Sequence, residues 1–301
     1  MSNDRNRFRQ SEVSRWQRCR RSHHFGYTLG VVPVSIGPRQ PVSGQRDVGS
    51  AAHAGVAEIN RGKSLPEALT AVTEYVNTLR AIRNDDELLP LTKEDDKAWW
   101  EVHRLACAIT SNYVDWLAEG NESGVKFHAI EEAWEVKVPG TDFVVYGKID
   151  AALHDPLVGG TVIRDYKSVA TFAQTPEDVD FQLRTYAWAW WRSVGEVPKQ
   201  AEHLMMKRVL GTGAAKPPFF ERFPIPINER ILVAHEAHMI ARLTEMRKYH
   251  TLKADAPVLW PNPTQTCSWD CDYRDLCPAV DDGSDWEDVL EQYFVAKSDD
   301  E

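Results

Sequence analysis

Three short stretches carry residue types that can do chemistry together. Gly147-Lys-Ile-Asp150 is followed by Val162-Ile-Arg-Asp165-Tyr-Lys167, and then by Gln182 and Tyr186. Asp165 and Lys167 are two apart on an expected strand, so their side chains leave the same face. Asp150 lies on the preceding expected strand, and a hairpin-like return brings it beside Asp165. Two carboxylates that close repel each other unless a cation sits between them. Oxygen ligands favour Mg²⁺ or Mn²⁺ over softer metals. An ion held there can polarise a phosphate, lower the pKa of a water and orient its attack. Lys167 would position or deprotonate that water and offset charge on the phosphorus. Gln182 and Tyr186, at i and i+4, share one helix face and can reach the centre or a DNA backbone. Asp-x-Lys by itself is common on exposed strands; the acid on the strand before and the helix pair after make the set worth pursuing.

The elements that must position these residues follow from pattern and punctuation. Residues 11–21 read as a short helix opened by Ser11 and carrying Cys19. Residues 31–47, with three prolines and two glycines, read as a loop. Helices are expected at about Val48–Asn60, Pro66–Arg83 and Thr92–Leu117. Strands follow at Ala129–Val138, Phe143–His154 and Thr161–Ser168, then a helix at about Pro176–Val194 and a strand near Glu202–Val209. Gly211–Pro218 reads as a loop, Asn228–Tyr249 as a long helix and Pro257–Pro263 as a link. The fold class is α/β: a central mixed β-sheet flanked by helices, with a helical N-terminal insertion. Five segments result: a basic stretch over 1–47, a helical region over 48–125, the core over 126–256, a cysteine cluster over 257–280 and an acidic tail over 281–301. Trp188, Trp190 and Trp191 could stack bases, although tryptophans on a central helix belong more often to the core.

The 301 residues are 43% hydrophobic and include 11 tryptophans, which argues against disorder and for a sizeable core. No apolar run approaches the ~18–20 residues of a membrane helix, and the arginine-rich start lacks the apolar stretch of a secretory signal. A cytoplasmic location is the default. The formal charge of −10 is unevenly placed. Residues 281–301 hold nine acidic side chains against Lys297, whereas residues 4–21 hold seven arginines against Asp4 and Glu12. Such like-charge ends commonly form solvated tails, and net charge neither supports nor excludes DNA binding.

Of the five cysteines, Cys267, Cys271 and Cys277 are spaced closely enough for three thiolates to converge on one metal or cluster. A fourth ligand must come from elsewhere. Cys107 sits in an apolar helical stretch and suits packing, while Cys19, among arginines, suits a ligand. Four thiolates fit either a 4Fe–4S cluster or tetrahedral zinc, and spacing does not decide between them.

Taken together, Gly49-Ser-Ala-Ala-His53, Gly147-Lys-Ile-Asp150, Asp165-Tyr-Lys167 and Gln182-Leu-Arg-Thr-Tyr186 resemble the ordered motifs of RecB-type nucleases in the PD-(D/E)XK superfamily, over about residues 11–280. The resemblance implies a restriction-endonuclease-like core. It also implies His53, Asp150, Asp165 and the carbonyl of Tyr166 as metal ligands, Lys167 as the catalytic lysine, and Gln182 and Tyr186 as its supporting motif. A distant N-terminal cysteine with three near the C-terminus is similar to the iron–sulfur subset, which includes AddB-type subunits and CRISPR-associated RecB-like exonucleases. That implies a 4Fe–4S cluster on Cys19, Cys267, Cys271 and Cys277, clamping the two ends of the chain, with zinc as the lesser alternative. The gap of three residues between Cys267 and Cys271 departs from the family's usual two. The function so implied is a Mg²⁺- or Mn²⁺-dependent exonuclease on single-stranded DNA ends, in repair, recombination or phage DNA metabolism. A non-cleaving DNA-binding scaffold of the same fold is the alternative, and a CRISPR adaptation nuclease a narrower one. A homo-oligomer, or a recombination or CRISPR partner protein, is compatible with either.

Overall fold

Strands β4 (Val144–Asp155) and β5 (Gly160–Val169) form the antiparallel pair that the motif spacing anticipates, with Ala151 opposite Arg164. This computed structural model describes residues 5–33, 44–83, 92–172, 180–210, 215–264, 267 and 271–296. The chain divides into two units that do not follow the sequential segments expected above. The first comprises residues 41–134 and 148–235, and the second residues 1–40, 135–147 and 236–301.

In the first unit the sheet is mixed, as expected. β5 pairs in parallel with β6 (Gln200–Lys207), which pairs antiparallel with β7 (Phe220–Pro226); β3 (Lys126–Lys137) pairs with β4 on its other side. β5 is buried from Thr161 to Tyr166 and β6 from Ala201 to Met206, marking them as the central strands. The connection between them is α6 (Phe181–Val194), whose N-cap Asp180 accepts from the Leu183 amide at 2.7 Å. α6 stops at Gly195, which takes a left-handed φ of 83° that a side chain would disfavour. Residues 173–179, where the sequence reading begins this helix, lie outside the described residues. Trp188 is fully buried and belongs to the core; Trp190 and Trp191 are half-buried.

Three helices pack together beside the sheet: α3 (Gly44–Asn60), α4 (Leu65–Arg83) and α5 (Lys93–Ala118). α5 opens on a reciprocal cap in which Thr92 Oγ1 accepts from the Asp95 amide and Asp95 Oδ2 accepts from the Thr92 amide. Val48, Ala52, Val56, Val72, Val102, Ala106 and Ile109 form their common core, and half-buried Cys107 packs against it. α3 lies on β5 through Gly49, where an added Cβ would come within 3.4 Å of Ser168 Cβ. α3 begins four residues before the expected Val48.

The second unit corrects two expectations. Helix α1 (Gln10–Arg18) starts at Gln10, with Arg9 rather than Ser11 at its cap, and it does not run through Cys19. Cys19 is extended (φ −162°, ψ 116°) and separates α1 from α2 (Arg20–His23), so its thiol leaves from a break rather than from a helix face. The acidic stretch is also more than a solvated tail. β1 (Arg7–Arg9) opens the unit; after the long helix α7 (Glu229–Tyr249), α8 (Leu276–Asp282), α9 (Trp286–Tyr293) and β8 (Phe294–Ala296) follow one another, β8 paired antiparallel with β2 (Val31–Pro33). Apolar Trp286, Val289 and Leu290 recur on one side of α9 and pack on a cluster of Phe25, Tyr273, Leu276 and Phe294, which offsets the local charge. Residues 297–301 and 34–43 lie outside the described residues. Arg7–Arg9, read as no element from sequence, pair in parallel with Val144–Tyr146.

Gly55 is a point of close approach between α3 and its neighbours α4 and α5. A Cβ there would stand 2.4 Å from Thr110 Oγ1 and 2.7 Å from Val72 Cγ2, both on stiff, buried, β-branched side chains. Gly55→Val should therefore lower stability by about 1–3 kcal/mol through overpacking. Urea unfolding followed by circular dichroism would read the loss, and an unchanged midpoint would contradict this packing.

Candidate active site

Asp150 and Asp165 sit on adjacent strands, one step beyond the Ala151–Arg164 pair, and both are buried. Their carboxyls are oriented differently. Asp150 Oδ2 accepts from the Tyr166 amide at 2.9 Å and lies 3.6 Å from His53 Nδ1. Asp165 Oδ2 is 2.9 Å from Lys167 Nζ and 2.9 Å from His203 Nδ1. His53, on α3, turns Nε2 to the Tyr166 carbonyl at 2.7 Å, which fixes that nitrogen as the donor.

The electrostatics separate the two acids. Burial, reinforced by the charge of Asp165, pushes the Asp150 carboxyl up to about 6. Burial works the same way on Asp165, but Lys167 and His203 outweigh it and hold that carboxyl at about 2. The counterparts move to match. His203 rises to about 9 and Lys167 rises above its ordinary value, because in each case the hydrogen bond and charge of Asp165 overcome burial. His53 rises as well: burial opposes its charge, and Asp150 with Glu131 outweighs it. One buried acid is firmly ionised; its neighbour retains a proton to near neutrality.

Helix α6 brings two of the expected residues to the lysine. Gln182 Oε1 accepts from Lys167 Nζ at 2.9 Å, and Gln182 Nε2 donates to the Tyr186 hydroxyl at 2.8 Å. The lysine ammonium is thus held between a carboxylate and an amide oxygen, with Tyr186 behind the amide.

Two residues join that the sequence reading did not choose. Glu131 on β3 brings a carboxylate oxygen to 3.8 Å from His53 Nδ1 and pairs with Lys148. His53, Glu131 and Asp150 each place one donor atom so that all three lie within 4.8 Å of one another. Glu131 has φ 53°, a left-handed conformation rare for a residue with a side chain. That twist turns its carboxylate toward His53, and neighbouring Glu132 gives no clue in sequence as to which of the two turns in. Backbone strain of this kind gathers at sites of function. The second addition is His203, opposite Asp165 on β6. It is buried, and besides Asp165 it faces Asp180 Oδ2 at 3.6 Å. Asp180 caps α6, so His203 links the strand of Asp165 to the start of the helix that carries Gln182.

An imidazole and carboxylate oxygens are a hard donor set, suited to Mg²⁺ or Mn²⁺. His53, Glu131 and Asp150 would hold such an ion, with the Tyr166 carbonyl adjacent; Asp165 faces Lys167 and His203 instead.

In the second unit Cys19, Cys267, Cys271 and Cys277 line one small cavity together with Arg18, Asn262, Thr264 and Tyr273. Backbone donors reach the sulfurs: Ser22 N–H to Cys19 Sγ at 3.5 Å and Thr264 N–H to Cys267 Sγ at 3.4 Å. Arg21 Nη1 stands 4.0 Å from Cys277 Sγ. Burial pushes the Cys271 and Cys277 thiols up. Cys107 lies in the other unit, 3.6 Å from His103 Nε2.

No described helix is long and apolar enough to cross a membrane. No curated protein matches the chain. Among solved structures it is similar to a protein of Eubacterium rectale described as a "putative exonuclease", at 13% identity and a TM-score of 0.44, covering 82% of this chain and 83% of that one. It is also similar to SSO0001, at 15% identity and a TM-score of 0.31, covering 58% and 75% respectively. The family model of the PD-(D/E)XK nuclease superfamily matches residues 7–278. With that match running through every motif described above, the chain belongs to the PD-(D/E)XK nuclease superfamily.

Proposed function

We propose that this protein is a Mg²⁺- or Mn²⁺-dependent exonuclease that hydrolyses phosphodiester bonds at single-stranded DNA ends. The observation that carries the reading is the arrangement of Asp150, Asp165 and Lys167 on two adjacent strands, with His53 against the Tyr166 carbonyl. A bound divalent ion supplies Lewis acidity toward the phosphate and a lowered pKa for the attacking water. The remaining work falls to the chain. Asp150 and Glu131 offer hard oxygen donors, and His53 is oriented by the carbonyl it donates to. Lys167, kept charged by Asp165, stabilises negative charge building on the phosphate oxygens and orients the water rather than taking its proton. Gln182 fixes the ammonium, and Tyr186 fixes the amide. His203 holds Asp165 in the rotamer that reaches Lys167. Recombination, repair or phage DNA metabolism is the setting this activity suits.

We further infer that the four cysteines of the second unit carry a 4Fe–4S cluster. Their number and softness fit, and N–H groups directed at sulfurs tune and stabilise such sites. Four thiolates would also suit tetrahedral zinc, and the resemblance to iron–sulfur nucleases is what favours the cluster. Because Cys19 precedes Cys271 by about 250 residues, a cluster there would stabilise chiefly by binding the folded state alone.

Digestion of oligonucleotides labelled at the 5′ or the 3′ end tests the activity. Mn²⁺-dependent release of short products from single strands, abolished by EDTA and reduced about 10²–10³-fold in Lys167→Ala, is expected. EDTA-resistant cleavage, or a Lys167→Ala variant as active as wild type, would contradict the mechanism. Anaerobically purified protein should be brown, with broad visible absorbance. Cys19→Ala should lose both iron and colour while Cys107→Ala keeps them; a colourless protein with stoichiometric zinc would refute the cluster.

A further inference from the structure

We propose that the cavity between α3 and α4 receives one unpaired nucleobase of the DNA strand, stacked on Tyr75. The proposal rests on the nuclease reading above and adds to it the part of the substrate that the protein grips. This open cleft holds about 290 Å³, and His53, Glu131 and Asp150 are among the residues that line it. Its floor is a single stripe of α3, continued just past the helix end by Arg61. Ser50, Ala54, Ala57 and Arg61 stand at i, i+4, i+7 and i+11, on the face that also carries His53. Small side chains along three of those positions leave the depth a flat ring requires.

The opposite wall is Tyr75 of α4, which is 37% exposed although Val72 and Val76 on the same helix are buried. A large aromatic left partly in water at the edge of a cavity offers a stacking face that every base can use. Two cations frame the opening. Arg61 is paired with Glu58, which also lines the cavity, and donates to the Ile130 carbonyl at 3.2 Å; Lys148 is paired with Glu131. Both side chains remain partly exposed, at 41% and 57%, so a phosphate at the opening can share them with Glu58 and Glu131. A base inside a duplex has both faces and its pairing edge covered and can enter such a slot only by leaving the stack. The cavity thereby supplies a physical ground for preferring single strands or frayed ends.

The test is equilibrium binding of a fluorescein-labelled single-stranded oligonucleotide, followed by anisotropy. Measurement in the Lys167→Ala background keeps the probe from being consumed. Tyr75→Ala should weaken binding roughly five- to hundred-fold, the range expected for one stacked base, and Tyr75→Phe should retain it. Moving an abasic site along the probe should reveal one position where wild-type Tyr75 binding drops by a similar factor and Tyr75→Ala costs nothing more. Blunt duplex should show no dependence on Tyr75. Unchanged affinity in Tyr75→Ala, or a loss that persists with every abasic probe, overturns the subsite. Tyr75-dependent binding without Mn²⁺-dependent cleavage in the wild-type protein would overturn the nuclease reading and leave the subsite standing. Cleavage with Tyr75-independent binding would do the reverse.

Discussion

Two buried carboxylates on neighbouring strands set the terms for this structure. Unit charges about 4 Å apart repel by about 4 kcal/mol at an effective dielectric constant of 20, and burial adds to the cost. The fold meets that cost unevenly. Asp165 receives a lysine, a histidine and the support of α6, and stays ionised; Asp150 receives an amide and an imidazole, and keeps an affinity for protons near neutrality. A group that tends to hold a proton at pH 6 is one that a dication can satisfy in the proton's place. The asymmetry separates the two acids: Asp165 faces Lys167 and His203, and Asp150 faces His53 beside Glu131.

The surrounding elements read as consequences of that pair. β5 must be central, because its residues meet β4 on one side and β6 on the other, and His203 can reach Asp165 only across the parallel β5–β6 ladder. α6 must begin close by, because Asp180 is both its cap and the second neighbour of His203. α3 must lie close on β5, since His53 spans from the helix to the Tyr166 carbonyl. The strain at Glu131 is local and has a local return: it delivers a third donor to the same point.

Much of this is legible in the sequence. The spacing of Asp165 and Lys167, the return from Asp150 and the i, i+4 relation of Gln182 and Tyr186 rest on fixed periodicities, and the structure places those side chains accordingly. What is not legible depends on information that periodicity does not hold. Glu131 and Glu132 are chemically the same, and an unusual backbone torsion chooses between them. His203 sits in an apolar strand and reads as a core histidine until strand pairing sets it opposite Asp165. Cys19 falls within a helical pattern, but the helix breaks at that residue. Residues 286–296 pass for a solvated tail because acidic side chains mask the apolar stripe of Trp286, Val289 and Leu290. The two units are each assembled from distant segments, which no linear scan of composition divides correctly.

Ion binding at this centre requires Asp150 to give up a proton, and calorimetric titration with Mn²⁺ across pH 5–8 tests that most directly. Affinity should rise with pH across this range, because His53, whose pKa is raised, must also give up a proton, and it should fall most steeply, by more than about tenfold per unit, as pH drops through the Asp150 pKa of about 6. Asp150→Asn should remove tight binding at neutral pH without loss of secondary structure. Equal Mn²⁺ affinity in Asp150→Asn and wild type, or a wild-type profile that stays flat down to pH 5, would contradict this exchange of proton for ion.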